Sequence, residues 1–261
     1  MKKRLLALGL AMLMVLPLAA CGKKGPETDT AYIQNRGYIT VGITNYAPMD
    51  YQDEKDEWIG FDADLARAFA EKLGVDVVFR IIRWDDKHKY LQNKDIDVIW
   101  NGMTITDEVI LQMAVSVPYC HSAQVVVLSA DRAADYQTED SLHTLNFVAE
   151  EGSSGAEALT NVGLVYTPVD SQTTALAETA NRTADACVID LLMADANIGP
   201  GTDYPDLVVA MELGSEKFGV GFRKDSDLVD LFNQFWADAC ADGTVDEVAQ
   251  RYDMTSAVLK Y

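Results

Sequence analysis

"WIGFDADLARAFAEKLGVDVVF", Trp58 to Phe79, carries two structural periods in one stretch. Phe61, Leu65, Phe69 and Leu73 recur at every fourth position, and Ala66 widens the stripe, so the spacing predicts an amphipathic helix. Asp62 is the expected N-cap and Gly74 the expected left-handed terminator. Val75 to Ile82 then turns apolar and β-branched, which predicts a strand. A helix that hands over to a strand at a single glycine is the repeating unit of an alternating α/β chain.

The alternation extends in both directions. Upstream, Tyr38 to Ile43 (YITVGI) is a short apolar strand, and the charged stretch Tyr51 to Ile59 reads as an exposed hairpin. Downstream come a short helix over Asp85 to Gln92, a buried strand over Asp97 to Trp100 and a helix start over Asp107 to Met113. The apolar strand Gln124 to Leu128 follows. This first unit therefore reads β-α-β-α-β-α-β, a largely parallel sheet under covering helices. Polar, acidic residues from Asp131 to Asp140 break the pattern. A second unit follows, with strands at Leu145–Ala149, Leu164–Thr167 and Ala186–Ile189. Its helices lie near Ala156–Leu159, at Ser171–Asn181 with Ser171 as cap, and at Leu191–Ala196. Two more strands, Leu207–Ala210 and Phe218–Phe222, precede two C-terminal helices over Leu228–Cys240 and Val245–Tyr252, separated by Gly243. The break between two small α/β units predicts two lobes.

The first residues belong to neither lobe. Lys2, Lys3 and Arg4 precede an apolar run from Leu5 to Leu18, interrupted by Gly9 and Pro17 and too short for the roughly 20 residues of a membrane span. Leu18-Ala19-Ala20-Cys21 resembles a lipobox, which makes Cys21 the expected lipidated N-terminus. Residues 22–30 then read as a polar tether. The chain carries 21 basic and 41 acidic residues; without Lys2, Lys3 and Arg4, 18 face 41, a net charge of −23. Such acidity argues against binding nucleic acid or anionic lipid by charge and fits a cationic ligand; a solubilising surface is its plainer use. After Cys21 three cysteines remain, Cys120, Cys187 and Cys240, an odd number with no metal-site spacing, so buried free thiols are the default reading and a bridge between one pair stays open.

Ligands of open α/β sheets sit where strand ends lead into helix starts. Four such ends stand out: Thr44-Asn45-Tyr46, Asn101 to Thr106, Gly152 to Gly155, and Asp190. Gly152 and Gly155 admit a close approach to backbone, while Thr104, Thr106, Ser153 and Ser154 add hydroxyls. Tyr46 and Trp84 follow strand ends and can wall a ligand, because an aromatic face attracts an ammonium. Asp190 directly follows the buried run "ACVI" and suits a ligand ammonium; helix capping is its plainer use. Catalytic signatures, cofactor fingerprints and metal-ligand spacings are missing, and Glu150 and Glu151 are the best acid–base candidates.

At this point the residues resemble the family 3 extracytoplasmic solute-binding proteins, the amino-acid receptors of ABC importers. The segments "YITVGITNYAPMDY", "KDIDVIWNGMTITDE", "VSVPY", "EEGSSGAEAL", "ADACVID", "LGSEKFGVGFRKDS" and "ADGTVDEVAQRYD" carry the resemblance together with the opening stretch. It implies a type II periplasmic-binding-protein-like fold with two lobes. Lobe 1 would take residues 31–120 and 219–261, and lobe 2 residues 121–218. Hinge strands would cross near Tyr119–Gln124 and Leu213–Phe218. It implies a lipid-anchored protein outside the cytoplasm that takes an amino acid or small amine and meets a transporter permease, with no cofactor. In it, Tyr46 and Trp84 wall the ligand. Gly102, Thr104, Ser153 and Ser154 reach the α-carboxylate, and Asp190 takes the α-ammonium. One departure stands out. The family's arginine after the Thr-Asp-Glu run is Val109 here, so either another base such as Arg83 holds the carboxylate or the ligand has none. A dehydratase-like enzyme on the same fold, using Glu150 or Glu151, and a ligand sensor for a membrane receptor are the alternatives.

Overall fold

The computed structural model describes residues 28–261. The expected leader, lipobox and Cys21 lie outside them. Residues 28–30 of the expected tether are instead the start of helix α1 (Asp29–Arg36), with Thr28 accepting from the Ala31 amide as its cap. What holds this helix is distant in sequence: Arg223 donates to both Asp29 oxygens at 2.9 Å, and Asp227 accepts from the Thr30 amide at 3.0 Å.

Strand β1 (Tyr38–Ile43), the hairpin of β2 (Tyr51–Gln52) and β3 (Trp58–Ile59), and helix α2 (Phe61–Leu73) follow the sequence reading closely. Phe61, Leu65 and Phe69 are buried, and Gly74 ends the helix in the left-handed region. The cap differs. Gly60 occupies that position, and Asp62 lies inside the first turn, fully buried, accepting from the Gly102 amide (2.8 Å) and the Tyr119 hydroxyl (2.7 Å). Next come β4 (Asp76–Ile81), a 3₁₀ turn at Trp84–Asp86 that runs into α3 (Lys87–Gln92), β5 (Val98–Ile99), α4 (Asp107–Gln112) and β6 (Ala114–Val115). These strands and β12 (Gly221–Phe222) form one sheet in the order β4-β1-β5-β12-β6. β1 is parallel to β4 and β5, whereas β12 runs antiparallel to β5 and β6.

The second sheet has the order β11-β7-β10-β8-β9. It contains β7 (Cys120–Ser129), β8 (Phe147–Glu150), β9 (Tyr166–Val169), β10 (Ala186–Asp190) and β11 (Leu207–Phe218). Helices α5 (Glu139–Leu142), α6 (Ser154–Asn161), α7 (Gln172–Ala180, capped by Ser171) and α8 (Leu191–Asn197) connect them. The expectation that Gln124–Leu128 closes the first parallel unit is corrected: this strand is part of β7, antiparallel to β10 and β11 in the other sheet. Parallel neighbours need a crossover, and none intervenes between β6 and β7. The expected pair Leu207–Ala210 and Phe218–Phe222 is also redrawn, since β11 runs through the polar residues between them, with bulges near Val209 and Glu212. The β7–β11 ribbon coincides with the expected hinge crossings.

Helices α9 (Leu228–Asp242) and α10 (Thr244–Arg251) follow β12. Phe232 and Trp236 of α9 pack with Phe69, Trp100 and Tyr119 into an aromatic core that backs the first sheet. A smaller core of Val126, Leu142, Phe147, Leu159 and Val188 supports the second. Cys120, Cys187 and Cys240 are free thiols, the first two buried and Cys240 half-buried.

Candidate functional site

A cavity of about 260 Å³ lies between the sheets, and all four strand ends meet in it. Tyr46, Trp84, Gly102, Thr104, Ser153, Ser154 and Asp190 all line it. The fold thus brings together every ligand-contact position expected from the sequence, although several of their polar atoms already have partners.

The first lobe's wall is set by Asn101. Its Oδ1 accepts from the Thr44 amide (2.9 Å) and hydroxyl (2.7 Å), and its Nδ2 donates to Asp50 (2.7 Å), so it ties the ends of β1 and β5 together. Gly102 follows with φ +58°, and a Cβ there would stand 2.5 Å from Tyr46 Cε1. Tyr46 itself is 2% exposed, and its hydroxyl is buried without a hydrogen-bond partner. Burial, reinforced by Asp190 and Glu216, pushes that hydroxyl well above the usual phenol range. The Gly102 amide is spent on Asp62.

Asp190 is the most elaborated acid. It occupies the position before α8, yet its side chain makes no capping bond. Gln124 Nε2 donates to Oδ1 and Gln172 Nε2 to Oδ2, each at 2.7 Å, and the Asp190 amide donates back to Gln172 at 2.9 Å. Gln124 Nε2 also reaches Glu216 Oε1 at 2.8 Å, and the Thr104 hydroxyl donates to Glu216 Oε2 at 2.7 Å. Burial and the neighbouring Glu216 raise the Asp190 carboxyl well above the ordinary range. Two acids thus share one corner, and a cation is what relieves their repulsion.

On the opposite lobe, Ser153 caps α6 by accepting from the Ala156 amide at 3.1 Å, and Ser154 is the first helical residue. Trp84 is 8% exposed, and its ring already holds a cation: Lys87 Nζ lies 5.0 Å from the ring centre. Lys87 donates to the carbonyls of Trp84 (3.3 Å) and, across the cleft, Gly152 (3.0 Å). Arg83, the base expected from sequence proximity, does not line the cavity. Its side chain is largely exposed and pairs with Glu151 at 3.5 Å. Of the two candidate acid–base residues, Glu151 is exposed, whereas Glu150 is 3% exposed with Oε1 buried and unpartnered. Burial pushes Glu150 up to about 8, against the opposing pull of Lys87.

Val109, 8% exposed, lines the wall as part of a cluster with Ile82, Trp84 and Met103. Asp85, Glu108, Glu150, Glu157 and Asp190 face Lys87 and His88 around the cavity, so its charge is predominantly negative. Lys87, Glu216, Gln124 and Gln172 were not singled out by sequence. The available signal was Gln124, a polar residue opening the apolar run "QVVVL".

The profile of "Bacterial extracellular solute-binding proteins, family 3" matches residues 39–255. The chain is 26% identical over 260 residues to the "Arginine-binding extracellular protein ArtP" of Bacillus subtilis, covering 97% of this chain and 98% of the relative. Its fold superposes on a mutant of ArgBP from T. maritima with a TM-score of 0.80 at 31% identity, covering 86% of this chain and 99% of that one. An ABC uptake transporter substrate-binding protein from Streptococcus pneumoniae with bound histidine gives 0.77 at 28% identity, covering 86% and 96%.

Proposed function

The chain belongs to the bacterial extracellular solute-binding proteins of family 3, and from that premise we propose that it is a receptor for an amino acid or related small amine. It binds this ligand between its lobes outside the cytoplasm and delivers it to an ABC importer. The observation that carries the reading is Asp190, a buried carboxylate on the cavity wall, held by two glutamine amides and released from helix capping. Its environment raises the cost of its charge, and a ligand ammonium removes that cost. The acidic lining supports the same sign of ligand. So do relatives whose names specify arginine and histidine.

In this reading Tyr46 and Trp84 wall the ligand, and Gly102, Thr104, Ser153 and Ser154 supply polar contacts. Lobe 1 comprises residues 31–120 and 219–261, joined by α1, and lobe 2 comprises residues 121–218. Ligand draws the lobes together by population shift, because only the closed form touches it from both sides. Lys87 donates to the Gly152 carbonyl and Thr173 to the Asn45 carbonyl (3.1 Å), two cross-cleft bonds that would favour such a closed form. Calorimetry against amino acids and small amines tests the assignment. Asp190→Asn should weaken binding at least tens-fold, from a loss of roughly 2–5 kcal/mol for a buried charge partner at ~1.4 kcal/mol per tenfold. Unchanged affinity refutes it.

Cys21 is proposed to carry the lipid that holds the receptor at the membrane. Cys21→Ser should move the protein from the membrane fraction to the soluble one, and retention in the membrane refutes the anchor. The rival reading, an enzyme on this fold, has the burial of Glu150 in its favour. Proton NMR of a bound ligand after prolonged incubation separates the two: the receptor returns its ligand unchanged.

A further inference from the structure

The cavity wall is acidic, yet it contains one lysine, and that lysine is placed at the seam between the lobes. Among the described residues only Lys87 and His88 supply basic side chains to the lining. The Lys87 ammonium donates to the carbonyls of Trp84 and Gly152. Two of its three N–H groups are thus used, and neither acceptor carries a charge that could neutralise it. The carboxylate that bears most strongly on it is Glu150, itself buried and without a hydrogen-bond partner on Oε1. Burial raises Glu150 to about 8 and lowers Lys87, and the other two carboxylates that act on the lysine, Asp85 and Glu108, are exposed, so its charge is only weakly compensated. Gly152, which receives the Lys87 bond, leads directly into Ser153 and Ser154 at the start of α6. The cavity therefore has two ends of opposite chemistry. One holds Asp190 beside Glu216; the other holds the Lys87 ammonium, the buried Glu150 and the two serines.

We propose that Lys87 receives a carboxylate of the ligand, supplying from α3 the positive charge that Val109 does not supply from α4. The ligand is then an amino acid and not its decarboxylated amine. This rests on the reading of Asp190 as the ammonium partner. It is distinct from a purely mechanical role for Lys87, in which the bond to the Gly152 carbonyl only latches the lobes.

The test compares each amino acid with the amine it gives on decarboxylation: lysine with cadaverine, arginine with agmatine, histidine with histamine. Affinities are measured by calorimetry on the wild-type protein, Lys87→Met and Lys87→Arg. The wild type should favour the amino acid of its best pair by at least tenfold. Lys87→Met should bring that ratio close to one, because losing the Gly152 bond weakens both members alike while losing the charge weakens only the amino acid, and Lys87→Arg should keep the preference. Equal losses for both members of a pair in Lys87→Met, with the ratio intact, would reduce Lys87 to a latch and overturn the proposal. A wild type that prefers the amine overturns it while leaving the Asp190 reading in place. A wild type that binds no member of any pair removes both. Because Lys87→Arg preserves the charge and the stem, its retained preference separates a charge effect from damage to the fold.

Discussion

Gly102 shows how little room the first lobe leaves around its ligand wall. Its φ of +58° lies where a side chain costs about 1–2 kcal/mol, and a Cβ would also stand 2.5 Å from the Tyr46 ring and 3.2 Å from Phe218. Both rings are buried, so neither can yield cheaply. Gly102→Ala should therefore lower the melting temperature by several degrees, at about 2–4 °C per kcal/mol for a chain of this size. It should also weaken ligand binding about tenfold or more by displacing Tyr46. Thermal melts and calorimetry on the same preparation check both, and a stable variant with full affinity would show that Tyr46 does not form the wall. Gly152 makes the equivalent demand across the cleft: at φ +72°, its Cβ would lie 2.8 Å from the Asp85 Cα. The sequence reads Gly102 as a neighbour of the ligand carboxylate and Gly152 as a place where a ligand comes close to the backbone. The structure shows that what approaches is protein, an aromatic ring at one and the opposite lobe at the other.

At the scale of elements, the buried ion cluster around Arg223 joins three parts of the chain that local sequence cannot connect. Arg223 donates to both oxygens of Asp29 on α1, to Asp97 (3.1 Å) before β5 and to the Ile96 carbonyl (2.7 Å). Arg36 pairs with the other Asp97 oxygen, which also accepts from the Thr40 amide. Asp97 is fully buried. Removing one partner of such a cluster leaves charges without compensation, at about 3–5 kcal/mol. Arg223→Met should lower the unfolding free energy by that amount in urea titrations, and a loss below about 1 kcal/mol would mean the cluster is idle. The same cluster explains what was legible in the sequence. Elements whose cause is local were read correctly: α2 from its period of four, β1 from its apolar run, α7 from Ser171. Helix α1 was missed because its anchors lie about 200 residues away, and the length of β11 because a polar strand is recognised only by its partner β7. The site divides the same way. Loops after strands announced seven wall positions. Lys87 and Glu216 remained hidden because their meaning arises only where the two lobes face each other, and Asp62 passed for a cap because the sequence cannot reveal that Gly102 and Tyr119 would converge on it.

For the whole molecule, the distribution of buried carboxyls fixes how stability responds to pH. Asp50, Asp62, Glu150 and Asp190 are each buried, and burial is the largest cause of a raised pKa at all four. Asp62 is raised to about 7 and Glu150 to about 8. Between the ordinary carboxyl range near ~4 and these folded values, the native state holds protons that the unfolded chain has released. Stability must then fall as pH rises, by about 1.4 kcal/mol per pH unit for each such group inside its window, and level off above the folded value. The acids whose pKa is lowered, such as Asp86 beside Lys89 and Asp131 beside Arg182, act in the opposite sense and lose their contribution only in acid. The unliganded protein should accordingly be most stable near about pH 5 and less so at about pH 8, a steeper decline than surface charge alone would give. Self-repulsion of the acidic surface produces a similar trend, but added salt screens it and leaves buried groups largely untouched. Scanning calorimetry from about pH 5 to 8, at low and high salt, separates the two. Asp62→Asn tests the assignment residue by residue. The amide oxygen can still accept from Gly102 and Tyr119, so the fold is retained while one titrating group is removed. The decline between about pH 5 and 7 should become shallower in that variant at both salt concentrations, and an unchanged slope would exclude Asp62 as a source. A cationic ligand should reverse the trend near neutrality, because it binds the ionised form of Asp190 and so adds more stability as that carboxyl loses its proton.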